Sequence, residues 1–487
     1  MFKGVKVAFL LIILSVTSIA RGNETSTLTT LDNVVGHQTI LTLTQEREWG
    51  ERIMREIRAQ NYLSEDEVLN SYLQGLAENV ARAAPQSPFP LKVFAIPSPD
   101  LNAFTFFGGH IGVHYGLILG VSSEAELLAV LAHEYAHITQ RHLARTLENH
   151  RRMMPLTVAE MLGALVVGSF TSPEAGIYAT QAILEMHFQK MMTFSRVHEQ
   201  EADREAIQTL GRLKTDPNAL LKVFNRFNQG SYFHDKVPEY LRSHPLNESR
   251  IADAQNRIAQ LKPQTALPDR QEDFDWMVAR ALVASTIGSK KTMIHRLKMQ
   301  ADSKEPGTPL WRQAQYALAL CFQAEREYLL ASQLLENLLN IYPDAWVLSL
   351  SMAELEYLQG NKEKGLKRFE MLSTRHPGLF PIDMLYAEYL IRDKQPLLAK
   401  KYLNRHKETQ GNSLRLYQLL TQAHRLSGDL SEVHQAQAEW HLLRGNIKAA
   451  KLQLSLALQR INVNKDLIAK AKIDAIQDKI LALEKIR

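Results

Sequence analysis

Cysteine is almost missing from this chain: its 487 residues include one, Cys321. A disulfide framework within the chain is therefore excluded, and so are zinc sites built from thiolates. The lone thiol lies among apolar residues of a helical stretch, where it reads as a small buried side chain. An excess of one charge is also missing. The formal net charge is +5, two of the positive charges are Lys3 and Lys6, and no basic block stands clear of acidic neighbours. Nucleic acid is accordingly not indicated as a partner. Beyond the N-terminal twenty residues, no apolar run approaches the roughly 20 residues that cross a bilayer. The nearest, Met161–Phe170, reads as a buried helix. No transmembrane span is expected in the mature chain, and peripheral membrane contact stays open.

What is present begins with a secretory pattern over residues 1–20. Lys3 and Lys6 form a charged start, Val7–Val16 is an apolar run, and Ser18-Ile19-Ala20 places small residues where a signal peptidase cuts. No cysteine follows the apolar run, so lipid attachment there is excluded. A secreted chain without disulfides suits the bacterial periplasm.

The length exceeds what one hydrophobic core supports, and the composition changes near residue 262. Up to that point helical patterns alternate with glycine-punctuated extended segments, and Pro263–Pro268 reads as a linker. The expected organisation is a signal peptide over 1–20, a catalytic domain over 21–262, a linker over 263–269 and a helical domain over 270–487. The last part repeats. Tyr342-Pro343 returns 34 residues later as His376-Pro377, Ala319 as Ala353 and Ala387, Ala331 as Gly365 and Ala399, and Leu335 as Phe369. Small residues recur where paired helices must approach closely, and proline closes each second helix, which is the tetratricopeptide pattern. Two repeats are clear. Gly428-Asp429 and Gly445-Asn446 mark further breaks, and Lys465–Arg487 is an amphipathic helix placed to cap the array. Such arrays offer a surface for peptides or partner proteins.

The chemistry lies in the first part. Ser123 and Glu126 form a capping box before the apolar residues Leu127, Leu128, Val130 and Leu131. On the helix so started, His133 and His137 are four residues apart and project from one face. Two neutral imidazoles so placed can take adjacent corners of a zinc tetrahedron, and Glu134 beside them can take a proton from water as general base. A third ligand is needed. Glu199 and Asp203, four apart in Ser195–Asp203, share a helical face: Glu199 is the candidate ligand and Asp203 the partner for the far nitrogen of one histidine. His198 is an alternative ligand without such a partner, and Glu201 points elsewhere and reads as solvated. Gly109–Gly116 reads as an extended strand whose exposed edge would pair with a substrate backbone, with His110 and His114 structural.

His-Glu-x-x-His followed by Glu-x-x-Ala-Asp resembles the gluzincin peptidases that include the CaaX prenyl endopeptidases. Asn102-Ala103-Phe104, Gly108-Gly109-His110-Ile111 and Gly116-Leu117-Ile118 before the helix match that family, as do His244-Pro245 and Arg250 after it. Phe107 stands where the family often has proline, which should alter the loop entering the strand.

The resemblance implies a zincin-like α+β metalloprotease domain ahead of a tetratricopeptide solenoid, in a chain that is mainly α. It implies one zinc ion per chain, held by His133, His137 and Glu199, with Glu134 as base and Asp203 behind the ligands. His244 has three readings: a local turn residue, an oxyanion group supported by Arg250, or a fourth metal donor that keeps the enzyme latent. With the secretory start and the repeats, the pattern is similar to a periplasmic branch of the family. That implies outer-membrane β-barrel proteins as substrates, with the repeats docking on them or on their assembly machinery. The competing function is a repeat-based chaperone or scaffold with a latent zinc site.

Overall fold

The computed structural model describes residues 41–151, 194–233, 238–261, 274–462 and 466–485. The secretory segment, the Met161–Phe170 run and the linker expected over 263–269 lie outside the described residues. The chain divides into two compact units. The first takes in residues up to Met54, Gln74–Phe94 and Ser98–Arg270; the second takes in Arg55–Leu73, Ala95–Pro97 and Gln271–Arg487.

The first part of the chain runs α1 (Leu43–Ala59), α2 (Glu67–Ala83), β1 (Lys92–Ile96), β2 (Ala103–Phe106), β3 (His110–His114), α3 (Tyr115–Gly120), α4 (Glu124–Thr139), α5 (His142–Arg151), α6 (Arg196–Arg212), α7 (Asn218–Phe233), α8 (Glu239–Ser243) and α9 (Glu248–Gln260). The three strands order as β1-β3-β2. β2 pairs antiparallel with β3, Ala103 facing Val113 and Phe106 facing His110. The strand expected over Gly109–Gly116 is therefore shorter than its glycines suggested and is not an edge. Every residue of β3 is buried, helix α3 takes over at Tyr115, and the edge that lies against α4 belongs to β2. Gly109, at φ 85°, turns the chain between them where a Cβ would stand 2.5 Å from the Pro90 carbonyl oxygen.

Helix α4 carries the His-Glu-x-x-His motif and is buried on all sides from Glu126 to Ile138, the mark of a core helix rather than a surface one. Ser123 Oγ accepts from the Glu126 N–H. The Glu126 carboxylate reaches the Ser122 N–H and the Arg226 guanidinium rather than closing the box on Ser123. α4 packs on α6 and α7. The alanines Ala129, Ala132 and Ala136 on α4, with Ala202 and Ala206 on α6, are at most 2% exposed, and side chains this small let the two helices approach closely.

The second part contains twelve helices among the described residues: α10 (Phe274–Ala284), α11 (Lys290–Asp302), α12 (Pro309–Ala324), α13 (Tyr328–Ile341), α14 (Trp346–Leu358), α15 (Lys362–Arg375), α16 (Phe380–Arg392), α17 (Pro396–Asn404), α18 (Leu414–Leu426), α19 (Leu430–Leu443), α20 (Ile447–Leu458) and α21 (Leu467–Lys485). The 34-residue period is written into the backbone: Arg326, Gly360, Lys394 and Gly428 each take a positive φ in the turn between two paired helices. Tyr342 and His376, before their prolines, end α13 and α15 at nearly the same φ and ψ. Ala331, Gly365 and Ala399 sit where helices touch; a Cβ on Gly365 would come within 2.7 Å of the Ala353 carbonyl oxygen. Cys321 is buried in this core. α21 closes the array by burying Ile473, Ile476 and Ile480 with Ala450 and Leu454 of α20. No helix among the described residues is long and apolar enough to cross a membrane.

His110 and His114 both serve the sheet. The His110 ring stacks on Phe106 and its Nδ1 lies 2.9 Å from the Phe107 carbonyl. His114 meets Phe104 edge to face, and burial, opposed by Asp100, holds its imidazole down at about 4. Because the folded state refuses a proton that the unfolded chain accepts below about 6.5, this group withdraws stability as the pH falls from about 6.5 towards 4. His114→Phe should shrink the loss of unfolding free energy between pH 7 and pH 4.5 by roughly 2 kcal/mol, as read by urea denaturation at both pH values. An unchanged pH dependence would contradict this.

Candidate metal centre

Four residues from three segments converge. His133 and His137 come from α4, Glu199 from α6, and His244 from the turn that ends α8. Their ligand atoms all lie within 4.8 Å of one another, and all four residues are buried. His133 Nε2 is 3.1 Å from His137 Nε2 and 3.3 Å from His244 Nδ1. Glu199 places Oε2 3.5 Å from His133 Nε2, and Oε1 3.5 Å from His137 Nε2 and 3.0 Å from His244 Nδ1. Phe194 lies flat against His137 at 3.9 Å, and Tyr240 stacks on His244 at 4.5 Å, so aromatic faces fix two of the rings.

Imidazole nitrogens this close, with a buried carboxylate among them, must share protons in hydrogen bonds or hold a cation between them. Burial alone lowers the His133 imidazole, but Asp203 and Glu199 outweigh it and raise it to about 9. His137 is pushed well below its ordinary value by burial, which Glu199 opposes and the neighbouring histidines reinforce. Burial would raise Glu199, yet His244, His133 and Arg250 hold it well below the usual carboxylate range. Glu199 is already the ionised carboxylate and His137 the neutral imidazole that bind a metal ion, and an ion would displace the proton that Asp203 and Glu199 favour on His133, so the donor set fits one.

Glu134 is fully buried beside the cluster but is not part of it. Both its carboxylate oxygens lack a well-aligned hydrogen-bond partner among the described residues, and Oε1 stands 3.4 Å from His244 Nε2. Burial raises its carboxyl, with His244 and His133 pulling the other way. A buried carboxylate next to four donors, with Tyr240 and His244 at its oxygens, has capacity to handle a proton.

Asp203 reaches the far side of His133, with Oδ1 3.0 Å from Nδ1. Arg250 then binds two carboxylates of α6, those of Asp203 and Glu199. Its Nε and Nη2 donate to the two oxygens of Asp203 at 2.8 and 2.9 Å, and its Nη1 lies 2.6 Å from Glu199 Oε2. Nη1 also donates to the Pro245 carbonyl at 2.9 Å, which ties the His244 turn to the same guanidinium. Arg250, expected beside an oxyanion, is thus occupied by the carboxylates that hold the histidines. The structure brings together His133, Glu134, His137, Glu199, Asp203, His244 and Arg250; His198 stays outside the ligand set.

Glu201 departs from its expected solvated position. Its Oε2 lies 3.0 Å from His142 Nε2 and accepts from Arg145 at 2.8 Å, while His142 Nδ1 lies 2.9 Å from His137 Nδ1. His142, five residues past His137, has no helical spacing to mark it, because the chain reverses at Arg141 before α5 begins.

The family model of peptidase family M48 matches residues 66–258. A putative β-barrel assembly-enhancing protease of Vibrio cholerae is 31% identical over 442 residues, covering 91% of this chain and 90% of its own length. The β-barrel assembly-enhancing protease of Escherichia coli is 30% identical over 489 residues, covering 99% and 98%. The mitochondrial metalloendopeptidase OMA1 of Schizosaccharomyces pombe is 24% identical over 197 residues, covering 40% and 55%. The fold and the donor set are those of a metalloprotease, a hydrolase that depends on its metal. Within that class the chain belongs to the family of the β-barrel assembly-enhancing proteases, members of peptidase family M48.

Removing Arg250 leaves two buried carboxylates facing each other. Arg250→Met should lower unfolding free energy by about 3–5 kcal/mol in chemical denaturation. Adding Asp203→Asn to it should recover part of that loss. A single variant as stable as the parent would contradict the bridging role.

Proposed function

We propose that this metalloprotease is a zinc endopeptidase of the periplasm that hydrolyses peptide bonds of misassembled outer-membrane proteins and assists β-barrel assembly. The placement of fully buried Glu134 against the four-donor cluster carries the reading. Zinc suits the donors: atoms about 2.0–2.1 Å from a shared tetrahedral centre stand roughly 3.3–3.4 Å apart. The contacts of His133 Nε2 with the other three residues fall between 3.1 and 3.5 Å. One ion per chain is the stoichiometry of a single such cluster. The compartment follows from the secretory pattern over residues 1–20, and the substrate class from the printed names of the relatives together with the repeat array.

Zinc, when bound, supplies Lewis-acid activation of water and of the scissile carbonyl. The protein supplies the rest. His133, His137 and Glu199 hold the ion, and Asp203 with Arg250 keeps His133 and Glu199 oriented. Glu134 takes the proton from the attacking water at its carboxylate and passes it to the departing amine. β2 has no strand partner on its outer side among the described residues, so an extended substrate can add its backbone there, which favours tolerance of side chains.

His244 acts as a latch. Its Nδ1, 3.0 Å from Glu199 Oε1 and 3.3 Å from His133 Nε2, would compete with water and substrate for a bound zinc ion. Displacement of the His244 turn would switch the enzyme on. The same placement favours a second reading, in which a latent site rides on a repeat-based chaperone or scaffold.

Casein cleavage by purified protein decides between them. Glu134→Gln should lose at least about 100-fold in rate, and equal activity would remove the protease reading; full cellular function in that variant would favour the scaffold. His244→Ala should raise proteolysis several-fold, and abolished proteolysis would overturn the latch.

A further inference from the structure

The metal ligands are not held alike. His133 rests on a carboxylate directly, through Asp203, whereas His137 meets another histidine. His137 turns Nε2 to the metal cluster, so its proton, when it ligates, is on Nδ1. That N–H faces His142 Nδ1 at 2.9 Å, which must then offer a lone pair. The single proton of neutral His142 is thereby placed on Nε2, where it donates to Glu201 Oε2 at 3.0 Å. Glu201 is anchored in turn by Arg145 at 2.8 Å. Each tautomer follows from the one before it. His142 is 0% exposed and stacks on His198 at 4.4 Å with the rings 10° apart, so it has no freedom to turn away.

The backbone gives independent support. α4 ends at Thr139, and Arg141 takes φ 52°, a left-handed conformation that costs a side-chain-bearing residue stability. It is held there by its own guanidinium, which donates to Glu46 Oε1 and to the Leu41 carbonyl, each at 2.7 Å. This reversal returns His142 to the outer nitrogen of His137, five residues back. Strain so anchored beside a site marks a position the fold maintains.

We propose that His142, backed by Glu201 and Arg145, is a positioning residue: it fixes the tautomer and orientation of His137 so that Nε2 is preset for the metal. The proposal rests on the zinc reading above and assigns His142 no contact with substrate.

Zinc affinity, measured by competition with a chromogenic chelator, tests it alongside the thermal midpoint of zinc-stripped protein. His142→Phe keeps the ring that stacks on His198 but removes both nitrogens. It should weaken zinc binding roughly 10- to 100-fold and leave the stripped protein's midpoint close to the parent's. His142→Asn, whose Oδ1 can still accept from His137, should regain most of that loss. Glu201→Ala, at the half-exposed end of the relay, should weaken zinc several-fold. Combined with His142→Phe it should add nothing, because it acts through His142; should His142→Phe fail to fold, the Glu201→Ala and His142→Asn affinities decide. Variants that bind zinc like a zinc-binding parent would overturn the relay alone, as would an additive double variant. A parent that takes up no zinc would overturn the zinc reading with it.

Discussion

Three imidazole nitrogens and a carboxylate oxygen share a buried space within 4.8 Å only when protons or a cation are held among them, and the surrounding structure follows from that constraint. Burial removes the water that would screen them, so each donor must be held by a partner rather than by solvent. Asp203 holds His133, Arg250 holds both Asp203 and Glu199, and Phe194 and Tyr240 hold the rings of His137 and His244. Arg250 is 1% exposed and also binds the Pro245 carbonyl, so one guanidinium links the α6 carboxylates to the turn that carries His244.

The architecture serves this arrangement. α4 packs on α6, which brings Glu199 within 3.5 Å of two histidines on the neighbouring helix. The sheet sets β2 against α4, and among the described residues β2 has no strand partner on its outer side. The repeat unit follows a separate logic. Its regularity comes from a left-handed turn residue every 34 residues, at Arg326, Gly360, Lys394 and Gly428, and from small side chains where helices meet.

Much of this was legible in the sequence, for physical reasons. Helical spacing alone puts His133 with His137 and Glu199 with Asp203, because each pair is four residues apart on one element. The repeats were legible because alanine, glycine and proline recur where packing and turns require them. What was not legible depended on tertiary contacts or on backbone reversals. β3 was mistaken for an edge because its flanking glycines say where extended chain begins and not which neighbour covers it. Arg250 was placed near an oxyanion because nothing in its own segment announces two carboxylates on another helix. His142 escaped notice and Glu201 was read as solvated because the left-handed turn at Arg141 brings His142 to His137, and Glu201 to His142, without any periodic signal.

Anomalous diffraction at the zinc absorption edge, from crystals of the purified full chain, tests the account most directly. One zinc site per chain is expected, ligated by His133 Nε2, His137 Nε2 and a Glu199 oxygen, with His244 Nδ1 as the fourth donor in the resting protein. An empty cluster in zinc-replete crystals, or a zinc ion bound without Glu199, would contradict it.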